Sequence, residues 1–139
     1  CLYINIICEF CSILRMPYLA VEPQFLKVEF GKLFDDIDEL LKRDLSHKEI
    51  FYFASMIHIW LAKIHPFSDG NGRSARLLEK WFLVSKLGIS AWSINSEKYY
   101  WDNRTDYYQN IALGYNYYVL NWNRCIPFLL MLPKAMQLS

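Results

Sequence analysis

From Phe25 onward, apolar side chains recur at Leu26, Phe30, Leu33, Phe34, Ile37, Leu40 and Leu41, while Lys27, Lys32, Asp35, Asp36 and Lys42 fill the gaps. Spacings of three and four put these apolar positions on one side of a helix, so the segment is predicted to be an amphipathic helix with one buried stripe. Upstream, Tyr3 to Val21 is rich in Ile, Leu, Tyr and Cys and contains Pro17, which suits extended chain or a hairpin better than a long helix. Ser46-His47-Lys48-Glu49 has the form of a capping box and should start a second helix. That helix carries Ile50, Phe53, Ala54, Ile57, Trp60, Leu61 and Ile64, apolar on most sides, until Pro66 forces His65 out of helical geometry. Arg73 to Leu87 is predicted as the next helix, with Leu77, Leu78, Trp81, Phe82 and Val84 on its core face and Gly88 as its stop. Asn95 or Ser96 can cap a further helix in which Arg104, Tyr107, Tyr108, Ile111 and Tyr115 share a face, and Pro127 can open a short last one. The pattern predicts a mostly helical domain.

The 139 residues fit one domain, 1–139, with no repeat, low-complexity tract or linker to divide it. With 54% apolar and 17% aromatic residues, the chain has enough apolar surface to offset the entropy of ordering it. A net charge of +1 provides no field for a nucleic-acid backbone, so an anionic ligand needs a local site. Apolar runs such as Ile126 to Leu132 are too short for a membrane span. The cysteines at 1, 8, 11 and 125 include one C-x-x-C without a second pair at metal-ligand spacing, which reads as reduced thiols. Cys1 to Leu14 lacks an initiator Met, a basic leader and a cleavage site, so it is not read as a secretory signal. A cytoplasmic protein is expected, and the stretch fits the catalytic part of a longer chain.

Between the two central helices lies His65-Pro66-Phe67-Ser68-Asp69-Gly70-Asn71-Gly72-Arg73. Gly70, Asn71 and Gly72 let successive backbone amides point into one concavity, and the helix that follows adds unsatisfied N–H groups and its positive dipole end. This is the composition of a phosphate cradle. Arg73 and Arg76 share one face of the first helical turn and can clamp phosphate oxygens. Asp69, the loop's only carboxylate, is a hard oxygen ligand suited to Mg²⁺ beside phosphates. His65 stands at the other edge, and an imidazole of ordinary pKa about 6.5 can take a proton from an attacking hydroxyl. Phe67 is expected to anchor the loop in the core.

The segment resembles the Fic motif, H-P-F-x-[D/E]-G-N-[G/K]-R, at every specified position, and Arg76 is similar to the second arginine of its extended form. The resemblance implies the all-α class, a Fic-type helical bundle with a short β-hairpin flap near the N-terminus, around Arg15 to Pro23, that docks a target segment. It also implies transfer of AMP from ATP to a Tyr, Thr or Ser hydroxyl of a protein target. His65 would be the base, Asp69 the Mg²⁺ ligand, Gly70, Asn71 and Gly72 the anion hole, Arg73 the phosphate clamp and Arg76 the γ-phosphate partner. Arg104-x-x-Tyr107-Tyr108-x-x-Ile111 looks like the family helix beside adenine, which makes Tyr107, Tyr108 and Ile111 candidates there; the Asn expected four residues later is Tyr115. The family's inhibitory pattern, [S/T]-x-x-x-E-[G/N], is not matched by Ser93 to Glu97, which Lys98 follows. Inhibition would then come from a segment outside this stretch or from a partner. Gly72 argues against the phosphoryl-transferring branch, where Lys stands at that position. Another nucleotide donor, removal of AMP, and a non-enzymatic nucleotide-sensing module all stay open.

Overall fold

The computed structural model describes residues 18–137. Helix α1 spans Pro23–Lys42, with proline in the first turn, where no backbone N–H is needed. Leu33 and Ile37 are buried, and Leu26, Phe30, Leu40 and Leu41 pack against the core. Phe34 is 39% exposed, so the buried stripe is narrower than its periodicity suggests. Its ring covers Phe30 edge-to-face at 5.0 Å.

Helix α2 (His47–Ile64) starts at the capping box, where the Ser46 Oγ accepts from the Glu49 N–H and the Glu49 carboxylate accepts from the Ser46 N–H at 2.8 Å. Ile50, Phe51, Ala54, Ile57, Ile59, Leu61 and Ile64 are all buried, which makes α2 the central helix. It packs most extensively against α3 (Asn71–Leu87), and α1 lies along it as well.

Helix α3 begins at Asn71, two residues before the predicted start, because Gly70 at φ 85° turns the chain directly into the helix. Its buried residues are Asn71, Ala75, Glu79, Lys80, Phe82 and Leu83, with Leu78 and Val84 partly covered. Leu77 and Trp81 are 61% and 44% exposed, a correction to the predicted core face. The stripe that meets α2 runs through positions 75, 79, 82 and 83, and its polar member is retained by partners described below. Lys86 reaches back from α3 to the carbonyls of Leu40 and Leu41 at 3.2 Å each and satisfies the open end of α1.

The helix predicted after Asn95 is two helices, α4 (Ser96–Asp102) and α5 (Arg104–Ile111). The chain leaves helical geometry at Asn103 (φ −108°, ψ 39°), whose side chain and backbone N–H both donate to the Tyr99 carbonyl, at 2.9 and 3.0 Å. Tyr115 therefore does not continue the face of Tyr107, Tyr108 and Ile111: it lies past Gly114 (φ 151°) and is 60% exposed. After short 3₁₀ turns at Tyr117–Val119 and Trp122–Cys125, Pro127 lies in the first turn of α6 (Ile126–Leu129), and α7 (Met131–Gln137) follows. Both pack on α2.

The fold is all-α. Among the described residues the strand-like pairing is an isolated bridge, in which Leu19 donates to the Tyr115 carbonyl at 2.8 Å and accepts from the Tyr117 N–H at 2.9 Å. Of Arg15 to Pro23, where the hairpin flap is expected, Arg15 to Pro17 lie outside the described residues, as do Cys1, Cys8 and Cys11, while Tyr18 to Glu22 form no strand beyond this bridge and Pro23 already opens α1. Cys125 is a buried free thiol whose pKa burial raises. Among the described residues no helix is long and apolar enough to cross a membrane.

Candidate active site

The α2–α3 junction gathers the loop residues into one turn of chain. His65 is the C-cap of α2 and adopts a left-handed conformation, φ 55° and ψ 56°. Pro66 disfavours α geometry for the residue before it, and left-handed backbone ends the helix while its N–H still reaches the Leu61 carbonyl at 3.0 Å. A β-carbon at that φ is strained by ~1–2 kcal/mol. The imidazole is 9% exposed, and its Nδ1 faces the Ala62 carbonyl at a long 3.4 Å. A carbonyl accepts and does not donate, so this contact favours the tautomer that carries hydrogen on Nδ1 and the basic lone pair on Nε2. Burial lowers the His65 pKa, with Lys63 adding to the effect and the Ala62 carbonyl opposing it.

Asn71 holds the loop closed. Its Oδ1 accepts from the Phe67 N–H at 2.9 Å and its Nδ2 donates to the Phe67 carbonyl at 2.6 Å, in a side chain that is 4% exposed. The structure thus uses the Asn71 side chain as a clamp, and what Asn71 turns toward an anion is its backbone N–H. Ser74 N–H closes the first helical turn onto the Gly70 carbonyl at 2.9 Å, so the amides of Asn71, Gly72 and Arg73 precede the helical ladder. Phe67 does not enter the core: it is 42% exposed and meets Phe30 edge-to-face at 6.3 Å.

Both arginines fold back over the glycines. A Cβ at Gly70 would lie 3.4 Å from the Arg73 Nη2, and one at Gly72 would lie 3.4 Å from the Arg76 Nη1. Arg73 also donates to Asp69 Oδ2 at 2.8 Å, with the two side chains 72% and 69% exposed. The His65 imidazole, the Asp69 carboxylate, the bare backbone and two guanidinium groups are thereby placed around one short loop. Among the described residues no group of three or more His, Cys, Asp or Glu could enclose a metal ion.

The candidates on α5 divide. Tyr107 and Ile111 are 2% and 0% exposed, interior to the bundle, while Tyr108 is half-buried and keeps surface of its own. Glu97, in the string compared with an inhibitory pattern, pairs with Lys80 at 3.2 Å.

Beneath the loop lies a polar group that periodicity alone does not reveal. The His58 Nδ1 is 2.7 Å from Glu79 Oε2, its Nε2 is 2.9 Å from the Tyr107 hydroxyl, and Tyr100 donates to the same Glu79 oxygen at 2.9 Å. His58 and Glu79 are fully buried. The signal available in the sequence was their register: a His within apolar α2, and a Glu at a core position of α3, both polar where polar groups require partners.

Comparison with known proteins agrees with this geometry. The sequence profile of the Fic/DOC family matches residues 15–83, which cover α1, α2, the loop and most of α3. "Protein adenylyltransferase Fic" of Nematostella vectensis is 51% identical over 41 residues, 30% of this chain and 10% of that protein. The protein of the same name from Aedes aegypti is 49% identical over 29% of this chain and 9% of its own length, and that of Culex quinquefasciatus is 56% identical over 23% and 6%. The chain thus matches a tenth or less of the length of these relatives. No match to a solved structure was found. A loop that satisfies the motif from His65 to Arg73, held at the helix junction that the profile itself spans, has the explanation that the chain belongs to the Fic/DOC family.

Proposed function

We propose that this protein is an adenylyltransferase that moves AMP from ATP to a hydroxyl side chain of a target protein. The observation that carries the reading is His65 at the edge of the cradle, with its Nδ1 turned to the Ala62 carbonyl and the lone pair of the neutral ring on Nε2. The relatives' printed name points the same way.

In this reading the triphosphate lies over Gly70, Asn71 and Gly72, where the amides of Asn71 and Gly72 meet its oxygens and the Gly70 N–H is held by Asp69 Oδ1 at 2.5 Å. Arg73 and Arg76 neutralise charge on the outer phosphates. The target hydroxyl oxygen attacks the α-phosphorus as its proton passes to His65 Nε2. The bond from the α-phosphorus to the bridging oxygen breaks, and pyrophosphate leaves. Asp69 would hold Mg²⁺. Its exposed carboxylate fits an ion that takes its other ligands from phosphates and water, better than it would fit a metal needing an enclosed protein site. When bound, that ion supplies charge stabilisation on the phosphate oxygens. Arg73 leaves Asp69 for the phosphates in the loaded state. Tyr108 is the α5 candidate with surface to offer an adenine ring.

The test is transfer of label from ATP to acceptor proteins. Label carried on the α-phosphate should move and label on the γ-phosphate should not; transfer of the γ-label would overturn the reading in favour of phosphoryl transfer.

A further inference from the structure

Arg76 is placed differently from Arg73. Arg73 extends into solvent with Asp69, whereas Arg76 is half-buried and its positive charge acts on the Tyr107 phenol, opposing the rise in that phenol's pKa. Tyr107 is in turn 2.9 Å from His58 Nε2, and His58 Nδ1 is 2.7 Å from Glu79. We propose that Glu79, His58 and Tyr107 are positioning residues that fix the Arg76 guanidinium for the outer phosphates. Tyr107 thus serves an arginine and not the adenine ring. The inference rests on the adenylyltransferase reading and extends it by three residues.

The argument is one of hydrogen direction. Arginine has only donors, so Tyr107 can bind it only through oxygen lone pairs. The phenol hydrogen must then go elsewhere, and His58 Nε2 receives it only if that nitrogen carries no hydrogen. Glu79 Oε2, which accepts from the Tyr100 hydroxyl, selects that tautomer by accepting from Nδ1 as well. In the proposed chain Arg76 donates to Tyr107, Tyr107 to His58 and His58 to Glu79, with Tyr100 as second donor to the same Glu79 oxygen.

The surroundings keep the chain rigid. His58 is enclosed by Tyr100 at 5.5 Å, Tyr107 at 5.7 Å and Phe128 at 5.0 Å between ring centroids. Glu79 Oε1 and Ser55 Oγ are buried with no hydrogen-bond partner among the described residues. Packing strength alone gives little reason for such an arrangement, since an apolar trio of similar volume is often as stable as a buried charged group or more so. Burial raises the Tyr107 pKa while Arg76 opposes it, so the phenol stays protonated and remains a donor to His58.

The test compares ATP with AMP, which lacks the outer phosphates, by calorimetry on wild type, Tyr107→Phe, Glu79→Gln, Arg76→Ala and the double variant Tyr107→Phe/Arg76→Ala. Tyr107→Phe preserves the ring and removes only the hydroxyl. ATP affinity is expected to fall about tenfold in Tyr107→Phe, as for loss of a charge-assisted hydrogen bond that fixes a phosphate ligand. AMP affinity should hold, and the double variant should be no weaker than Arg76→Ala alone. Long-range ¹H–¹⁵N spectra should show His58 with hydrogen on Nδ1 in wild type and a mixed tautomer in Glu79→Gln. A merely structural role would lower the melting temperature without changing the ratio of ATP to AMP affinity. Wild-type ATP affinity in a folded Tyr107→Phe protein, or additive losses in the double variant, would overturn the proposal. A wild-type protein that binds no ATP would instead refute the adenylyltransferase reading and this inference with it.

Discussion

His65→Gly and His65→Ala remove the same imidazole but leave different backbones, and the difference isolates what the left-handed cap costs. At φ 55° an L-residue carries ~1–2 kcal/mol of strain that glycine does not. Glycine gives back ~0.5–1 kcal/mol through the greater freedom of its unfolded chain. The net expectation is that His65→Gly is more stable than His65→Ala by about 0.5–1 kcal/mol. For a domain of this size that corresponds to about 2–6 °C in melting temperature. Ring loss cancels in the comparison, because both variants forgo the same burial and the same 3.4 Å contact with Ala62. Thermal denaturation followed by circular dichroism reads the difference, and labelled ATP reads turnover in the same preparations. Both variants should lose at least ~10²-fold in transfer, the lower end of what a positioned base contributes, while ATP affinity stays near wild type. An alanine variant as stable as the glycine variant would refute the left-handed cap, and near-normal transfer in either would refute the base assignment.

Other consequences follow from the same geometry. Asn71→Ala should lose about 2–4 kcal/mol of stability in urea titration, because two hydrogen bonds to the Phe67 backbone disappear and leave both groups unmatched in a partly buried loop. Since the folded His65 pKa is lowered, its neutral form persists below pH 6.5, and transfer should reach half its maximum on the acid side of that value. The linked stability has the same sign: the unfolded chain binds the proton first, so this contribution is fully present above about pH 6.5 and is lost as pH falls through the folded pKa. Urea midpoints of wild type and His65→Gly should therefore diverge less at pH 5 than at pH 7.5, with equal divergence counting against the shift. Asp69→Ala breaks an exposed ion pair and should change stability by less than about 1 kcal/mol, yet it should abolish the dependence of transfer on added Mg²⁺ along with most of the activity; full activity in excess chelator would contradict that role.

The candidate site was legible in the sequence because its residues are close together along the chain. His65, Asp69, Gly70, Asn71, Gly72, Arg73 and Arg76 fall within one turn and the start of one helix, so spacing alone brings them together. The Ser46–Glu49 box was legible for the same reason. What could not be read was long-range. His58 and Glu79 are 21 residues apart and meet only because α2 and α3 pack together, which is why Glu79 holds a core position while Leu77 and Trp81 face outward. Tyr107 lies 49 residues from His58, and its aromatic character alone does not separate a ring that stacks on a ligand from one buried for its hydroxyl. The break at Asn103 was not legible because an asparagine side chain can bond the carbonyl four residues back both inside a helix and at its end, so residue type alone does not set the boundary.

The most direct test of the central claim is the mass of the acceptor side chain after reaction with unlabelled ATP and Mg²⁺, located to a residue by peptide fragmentation. The account predicts a single adenylyl group in phosphodiester linkage to a Tyr, Thr or Ser oxygen, present with wild type and absent with folded His65→Ala. A phosphate monoester at that oxygen, or the same adenylyl group formed equally by His65→Ala, would contradict it.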